Sequence, residues 1–233
     1  MSFERVGSQT WQDLLFVHWE VPPQFLRPRL PPGLELDTFD GRAYVGLIPF
    51  LMRDVRPVAV LPPVPTAATF PEINLRTYVR FGGEPGVWFF SLDAASGLAV
   101  IGGRALFHLP YHRADATIGK DKDTTVIDSV RRWPEPRAGR FRARYTVGEP
   151  LGIAEPGTLR HFLVERYTLY TLDGSDNLAR ARVRHAPYPL WRAKVERVDE
   201  TLMAAARLPS NGNRTEDYFS SGVTVDVTAL EAV

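Results

Sequence analysis

The chain has 233 residues, 44% of them hydrophobic and 24% charged, with a formal net charge of +1. That length and apolar content can build one large core without metals or crosslinks, and the near-neutral charge lacks the basic excess of a nucleic-acid binder. Cysteine is absent, which excludes disulfides, thiolate metal ligands and a cysteine nucleophile, and suits a reducing compartment.

The first twenty residues place Glu4, Asp13 and Glu20 among scattered apolar positions, so no signal peptide is read there. The first predicted strand is Leu14 to Glu20. Val21-Pro-Pro-Gln-Phe-Leu-Arg follows as a short helix with prolines in its first turn, ending near Pro28. After the Asp40-Gly41 turn signal, Ala43 to Met52 reads as a strand, and the proline-rich stretch from Arg56 to Phe70 as an irregular loop. Strands are expected at Glu72 to Phe81, Val87 to Asp93 and Leu98 to His108, the first two separated by Gly82-Gly83. Ala114 to Gly139 is polar, carries the charged run Lys120, Asp121, Lys122 and Asp123, and reads as a second loop.

Phe141 to Val147 is the next strand. Thr158 then caps a helix in which Leu159, Phe162, Leu163 and Arg166 recur at helical spacing. Strands return at Tyr167 to Leu172 and Leu178 to His185 around the Asp173-Gly174 turn, then at Trp191 to Val198. A third short helix over Thr201 to Leu208 precedes a last strand, Val223 to Thr228. No internal repeat is visible, and no apolar run approaches the roughly 20 residues of a membrane-spanning helix. With strands in such excess, the expected fold is mostly β (α+β), largely antiparallel, curved or closed, and a single domain over residues 1–233. Cytoplasmic localisation is expected.

Alternate residues of a strand share a face. Glu72, Asn74, Arg76 and Tyr78 therefore project together, opposite Ile73, Leu75, Thr77 and Val79. One reading is a strand whose polar face meets water. The other is a cavity wall, favoured by the mixture of acid, amide, guanidinium and phenol. Neighbouring segments such as Val87-Trp-Phe-Phe-Ser-Leu are apolar on both faces, as in strands buried on two sides.

Arg104-Ala-Leu-Phe-His-Leu-Pro-Tyr-His, read as a strand, puts Arg104, Leu106 and His108 on one face, with Tyr111 and His112 at its exit beyond Pro110. A capped strand with one satisfied histidine competes with a functional exit. Glu165-Arg166 within an apolar segment suggests a buried ion pair, and His185-Ala-Pro-Tyr-Pro lies downstream. No glycine-rich phosphate loop or Gly-x-Ser-x-Gly elbow is present. Pro110 keeps His108 and His112 off a shared helical turn, so no metal site is assigned and no cofactor is expected. The alternating basic stretches from Arg140 and Arg180 read as solvated sheet faces.

Several segments then match, in order, a known pattern: Trp11 to Trp19, Val21-Pro-Pro, Leu30-Pro-Pro-Gly-Leu-Glu-Leu-Asp, Asp40-Gly-Arg-Ala-Tyr-Val-Gly-Leu-Ile-Pro-Phe, Glu72-Ile-Asn-Leu-Arg-Thr-Tyr-Val, Phe89-Phe-Ser-Leu-Asp-Ala, Leu109-Pro-Tyr, Gly157-Thr-Leu, Phe162-Leu-Val-Glu-Arg-Tyr and His185-Ala-Pro-Tyr-Pro-Leu. Together they resemble the YqjF-like family, a domain of unknown function in the acetoacetate decarboxylase-like superfamily. The resemblance implies a strongly curved antiparallel sheet closing around a central cavity, with few short helices. It also places Glu72 on a pocket glutamate of the decarboxylases, while their other pocket acid aligns near Val45 or Gly46 and is absent. Tyr111 and His112 stand where the imine-forming lysine and its activating neighbour would be.

The chain has 25 arginines but only three lysines. Lys120 and Lys122 sit in the charged run, and Lys194 shares a strand face with Arg192 and Glu196. An imine mechanism, which needs a lysine of depressed pKa, is not expected. Three functions stay open. The first is acid–base chemistry on a small carbonyl or carboxylate compound, with Glu72, Tyr111 and His112 as catalytic candidates and Asn74, Arg76, Tyr78, Arg104 and His108 as ligand-binding candidates. The second is a non-catalytic protein that binds or senses a small ligand. The third is a structural protein with a self-filled cavity. The expected partner is a small molecule, not nucleic acid or a membrane, and a homo-oligomer stays open.

Overall fold

The computed structural model describes residues 4–56, 69–134 and 138–233. The first strand, β1 (Arg5–Val21), is apolar on both faces from Leu14 to Val17, and those side chains are almost wholly buried. Such a strand needs cover on two sides, so it lies deep in the sheet. Its neighbours are β12 (Tyr218–Thr228) and β3 (Ala43–Arg56). β3 pairs with β4 (Thr69–Phe81), and β4 with β5 (Glu84–Ala94). From β5 the sheet continues through β6 (Tyr111–Asp121), β7 (Thr124–Trp133), β8 (Arg140–Gly152) and β11 (Leu190–Glu200) back to β12.

The pairing therefore returns to its start and the sheet closes. β9 (Thr168–Leu172) pairs with β5, and β10 (Leu178–Arg184) pairs with β12, which spans the ring a second time. Two short strands, β2 (Glu35–Leu36) and β13 (Glu231–Ala232), complete a 13-stranded sheet. Closure satisfies backbone groups that an open edge would leave unpaired. The mostly β class and the strongly curved sheet agree with expectation. Most pairs are antiparallel, but β5 runs parallel to both β6 and β9.

That parallel step accounts for a correction. Leu98 to His108 is not a strand: it belongs to helix α2 (Gly97–Phe107) and its cap. Parallel neighbours cannot be joined by a tight turn, so the chain must cross over between β5 and β6. Ser96 caps the helix by accepting from the Ala99 amide, and His108, at φ 51°, ends it in the left-handed region. The polar stretch Ala114 to Gly139 is likewise no loop over most of its length. It forms the β6–β7 hairpin, in which Ala114, Ala116 and Ile118 face inward and the charged run makes the tip.

Helix α3 (Leu159–Val164) is capped by Thr158 as expected, and α1 (Pro23–Leu26) begins on prolines. The third helix is shorter than expected, α4 (Leu202–Ala205). The predicted loop from Arg56 to Phe70 lies outside the described residues over 57–68, and its last two residues open β4. Among the described residues no helix is long and apolar enough to cross a membrane.

β1, β3 and β4 divide the interior into two apolar clusters. Phe16, Tyr44, Ile48, Phe50 and Tyr78 point to one, with Leu163, Tyr188 and Tyr218 opposite. Leu15, Val17, Val45, Leu47, Ile73 and Leu75 point to the other, against Ile127, Phe141, Tyr145 and Met203. Each fully buried side chain of this size contributes about 1.5–3 kcal/mol, so a one-residue slip of β4 would invert a large apolar investment.

Candidate functional site

The polar stripe of β4 points into the first cluster. Its register sets Glu72 opposite Phe50, Asn74 opposite Ile48 and Arg76 opposite Gly46 on β3. Glu72 is 1% exposed, Arg76 8% and Tyr78 0%. The solvated-face reading is therefore ruled out, because these polar groups are enclosed.

Tyr111, the first residue of β6, donates its hydroxyl to the Glu72 carboxyl, with oxygen distances of 3.2 and 3.3 Å. Asn74 also hydrogen-bonds Glu72. Burial outweighs both and pushes the Glu72 carboxyl up to about 8, helped by the charge of Asp93. Near neutral pH Glu72 is mostly protonated and can give as well as take a proton. Burial and the neighbouring Glu72 drive the Tyr111 phenol well above its usual range.

Arg76 differs from the buried arginines elsewhere. Its Nη2 donates to the Leu163 carbonyl at 3.0 Å, its guanidinium lies 5.6 Å from the Tyr78 ring centroid, and its Nε has no partner. Among the described residues no carboxylate lies at ion-pair distance from it. By contrast, Arg131 grips Asp93 through two bonds of 2.6 and 2.7 Å, and Arg166 pairs with Asp37 at 2.8 Å. The expected Glu165–Arg166 pair does not form: the Glu165 carboxylate accepts from the Tyr167 hydroxyl at 2.6 Å and the Tyr188 amide at 2.9 Å.

Tyr78 completes the stripe. Its hydroxyl lies 2.7 Å from the Leu163 carbonyl and 2.6 Å from His18 Nε2. A carbonyl only accepts, so the phenol donates to it and His18 Nε2 carries the hydrogen toward the phenol. His18 is fully buried, and burial with the Arg76 charge holds its pKa far below the usual histidine range. Gly46 makes room for that ring, since a Cβ there would stand 2.8 Å from it.

Around this stripe stand further buried atoms without partners: Trp11 Nε1, Asn74 Oδ1 and His185 Nε2. The Trp11 ring lies 5.9 Å from Phe50 and 5.7 Å from His185, and His185 lies 4.7 Å from both Tyr167 and Tyr188. Burial lowers the pKa of the His185 imidazole, and the Arg76 charge, which reaches both His185 and Tyr188, adds a smaller lowering.

Of the residues singled out from sequence, Glu72, Asn74, Arg76, Tyr78 and Tyr111 come together. His112 does not. Successive strand residues face opposite ways, so His112 sits beside Asp93 and Arg131 on the other side of the sheet, its pKa lowered to about 4 by burial and by Arg131. Arg104 and His108 are on the exposed surface of α2 and its cap. Arg104 donates to the Tyr111 carbonyl and lies over Trp133, while the His108 carbonyl accepts from Thr171. A two-arginine clamp of Arg76 and Arg104 is therefore not assembled. Trp11 and His18 join the site without having been singled out, because a largely apolar strand gives no local sign of which face will meet polar groups, whereas Tyr188 comes from the His185-Ala-Pro-Tyr-Pro segment noted in the sequence. All three lysines are exposed.

Gly103 bears directly on Tyr111: a Cβ there would stand 2.3 Å from the phenol ring. Gly103→Ala is expected to push the ring off Glu72 and to lower stability in urea by about 1–3 kcal/mol. A loss below ~0.5 kcal/mol would mean that the ring is not confined by α2.

Comparison with known proteins gives a consistent picture. The family DUF2071, described as an uncharacterized conserved protein, matches residues 8–224. An uncharacterized protein, YqjF, from Bacillus subtilis (strain 168) is 43% identical over 191 residues, covering 82% of this chain and 77% of YqjF. An acetoacetate decarboxylase-like enzyme from Sphingomonas wittichii RW1 superposes with a TM-score of 0.64 at 17% identity, over 99% of this chain and 95% of the other. Acetoacetate decarboxylase from Legionella pneumophila gives a TM-score of 0.61 at 14% identity, over 100% and 90% of the two chains. At these identities the solved structures establish the shared fold and nothing about chemistry.

Proposed function

We propose that this chain, which belongs to the DUF2071 family and has an acetoacetate decarboxylase-like fold, binds a small carboxylate compound in its interior and exchanges a proton with it through Glu72. The observation that carries this reading is Arg76, a guanidinium buried in the interior with a free Nε and no acidic partner among the described residues. An unpaired buried cation is costly, and an anionic ligand offsets that cost. A carboxylate suits the planar donor set of arginine. Glu72, two residues beyond Asn74 on the same face, then supplies a carboxyl with a pKa of about 8, suited to general acid–base work near neutral pH.

Imine chemistry is not part of the proposal, because each lysine is on the surface. A non-catalytic binding or sensing protein would use the same groups, with Glu72 acting only as a hydrogen-bond donor. Turnover of a bound ligand separates the two.

Thermal-shift measurements with small keto, hydroxy and unsubstituted carboxylic acids test the site. Stabilisation by at least one class is expected, and Arg76→Met should weaken that binding roughly 10- to 100-fold, the worth of a charge-assisted contact. Arg76→Met should leave unliganded stability within ~1 kcal/mol of the parent or raise it, since an unpaired buried charge is removed. No stabilisation by any acid would sink the reading.

A further inference from the structure

We infer that the interior selects a hydroxy-carboxylate, with His185 Nε2 accepting a hydrogen bond from the ligand hydroxyl. This rests on the interior-site reading above and narrows it by the chemistry of the buried atoms that lack partners.

Those atoms fall into two kinds. Arg76 Nε and Trp11 Nε1 are donors, whereas Asn74 Oδ1 and His185 Nε2 are acceptors. The state of His185 follows from its other nitrogen. Nδ1 lies 2.8 Å from the Ala186 carbonyl, which can only accept, so Nδ1 carries the hydrogen and Nε2 presents a bare lone pair. Tyr167 and Tyr188, each 4.7 Å away, and Trp11 at 5.7 Å hold the ring in place. Burial, the largest influence, lowers the pKa of the imidazole from its ordinary value; the Ala186 bond and Glu165 oppose it, and the Arg76 charge adds a still smaller lowering.

A simple carboxylate offers acceptors alone. It answers Arg76 and Trp11 but leaves His185 and Asn74 facing a ligand with nothing to donate. A keto acid adds only another acceptor. A hydroxyl supplies the missing donor without charge. An ammonium also donates, but it would stand in the field of Arg76, while the oxygens of the nearby Glu165 are occupied by Tyr167 and the Tyr188 amide. Buried polar groups that stay unmatched are costly, which makes the hydroxyl a selective feature and not an incidental one.

Calorimetric titration of the full chain with two matched series tests this: propionate, pyruvate, lactate and alanine, then butyrate, acetoacetate and 3-hydroxybutyrate. In at least one series the hydroxy acid should bind roughly tenfold or more tightly than its unsubstituted and keto analogues. In His185→Phe, which keeps an aromatic ring between Tyr167 and Tyr188, that preference should collapse while the unsubstituted acid still binds. Should that variant not fold, nitrogen-15 NMR of the parent protein reads the same atom. The free protein should show the His185 ring protonated at Nδ1, and Nε2 should shift with the hydroxy acid but not with the unsubstituted one. A preference for keto or amino acids, a hydroxyl preference that survives His185→Phe, or a free ring protonated at Nε2 overturns the inference and leaves the carboxylate site standing. If no acid in either series binds, the site reading falls and takes this inference with it.

Discussion

Glu72→Gln is expected to lose less stability than the parent protein as pH rises from acid to alkaline. The Glu72 carboxyl titrates at about 8 in the folded chain, against an ordinary value of 4.5. Below 4.5 both folded and unfolded chains hold the proton, and its contribution to stability is intact. As pH rises toward 8 the unfolded chain releases a proton that the folded chain keeps, so unfolding becomes progressively easier. Above the folded value the loss is complete, on the order of 5 kcal/mol. Glutamine cannot ionise and keeps an oxygen for the Tyr111 hydroxyl, so it escapes that loss.

Other groups also titrate with shifted values, including Asp13, Glu200 and Asp217, which are raised, and His18, His112 and His185, which are lowered. They are common to both proteins and cancel in the comparison. Urea unfolding at pH near 5 and near 9 should therefore show the variant gaining several kcal/mol on its parent at the alkaline end. Parallel curves would mean that Glu72 is ionised in the fold, and the proton-exchange role would have no basis. Any turnover of a bound acid should fall by roughly 10²–10⁴-fold in the same variant, the usual worth of a general acid–base group.

Asp37→Ala should be strongly damaging, because it breaks a buried ion pair beside the site. Asp37 is 4% exposed, and its two oxygens take Arg166 at 2.8 Å and Arg80 at 2.8 and 3.1 Å. The Arg80 side chain is 44% exposed, so water can replace its partner and little is lost there. Arg166 has no such recourse. Its side chain is 4% exposed, and it lies over Phe162 and Tyr78, 4.2 and 5.1 Å from their ring centroids. Leaving that charge unpaired costs about 3–5 kcal/mol, and it removes the tie between Arg166, just beyond α3, and Asp37, whose amide donates to the Tyr78 carbonyl of β4. A lowered urea midpoint with an unchanged slope is the expected result. The double variant Asp37→Ala/Arg166→Met should recover most of the loss, because the buried charge goes with its partner. If the double variant is no better than the single, the damage comes from packing and not from the stranded cation.

Part of the candidate site is legible in the sequence. Period-two alternation put Glu72, Asn74, Arg76 and Tyr78 on one face, and the family resemblance turned that face inward. The same local reasoning failed at Leu98 to His108, because apolar runs of that length suit a strand or a helix equally. What decided for a helix was the parallel pairing of β5 with β6, a relation between segments that no local pattern contains. His112 was lost for a related reason: the resemblance aligned it beside Tyr111, but adjacent strand residues part to opposite faces, and only one of them can reach Glu72.

By itself, the sequence determined that this is a mostly β chain, that it carries an alternating polar stripe, and that it holds only three lysines, while its resemblance to a known family implied the acetoacetate decarboxylase-like fold. Those properties are local in composition and spacing, so they survive without a fold. Only the tertiary structure decided that Arg76 is buried without an acid, that Arg166 belongs to Asp37 and not to Glu165, and that Trp11 and His185 face the stripe from distant strands and loops. Pairing, burial and the pKa of Glu72 depend on which remote segments exclude water from a side chain, and that is settled by how the sheet closes.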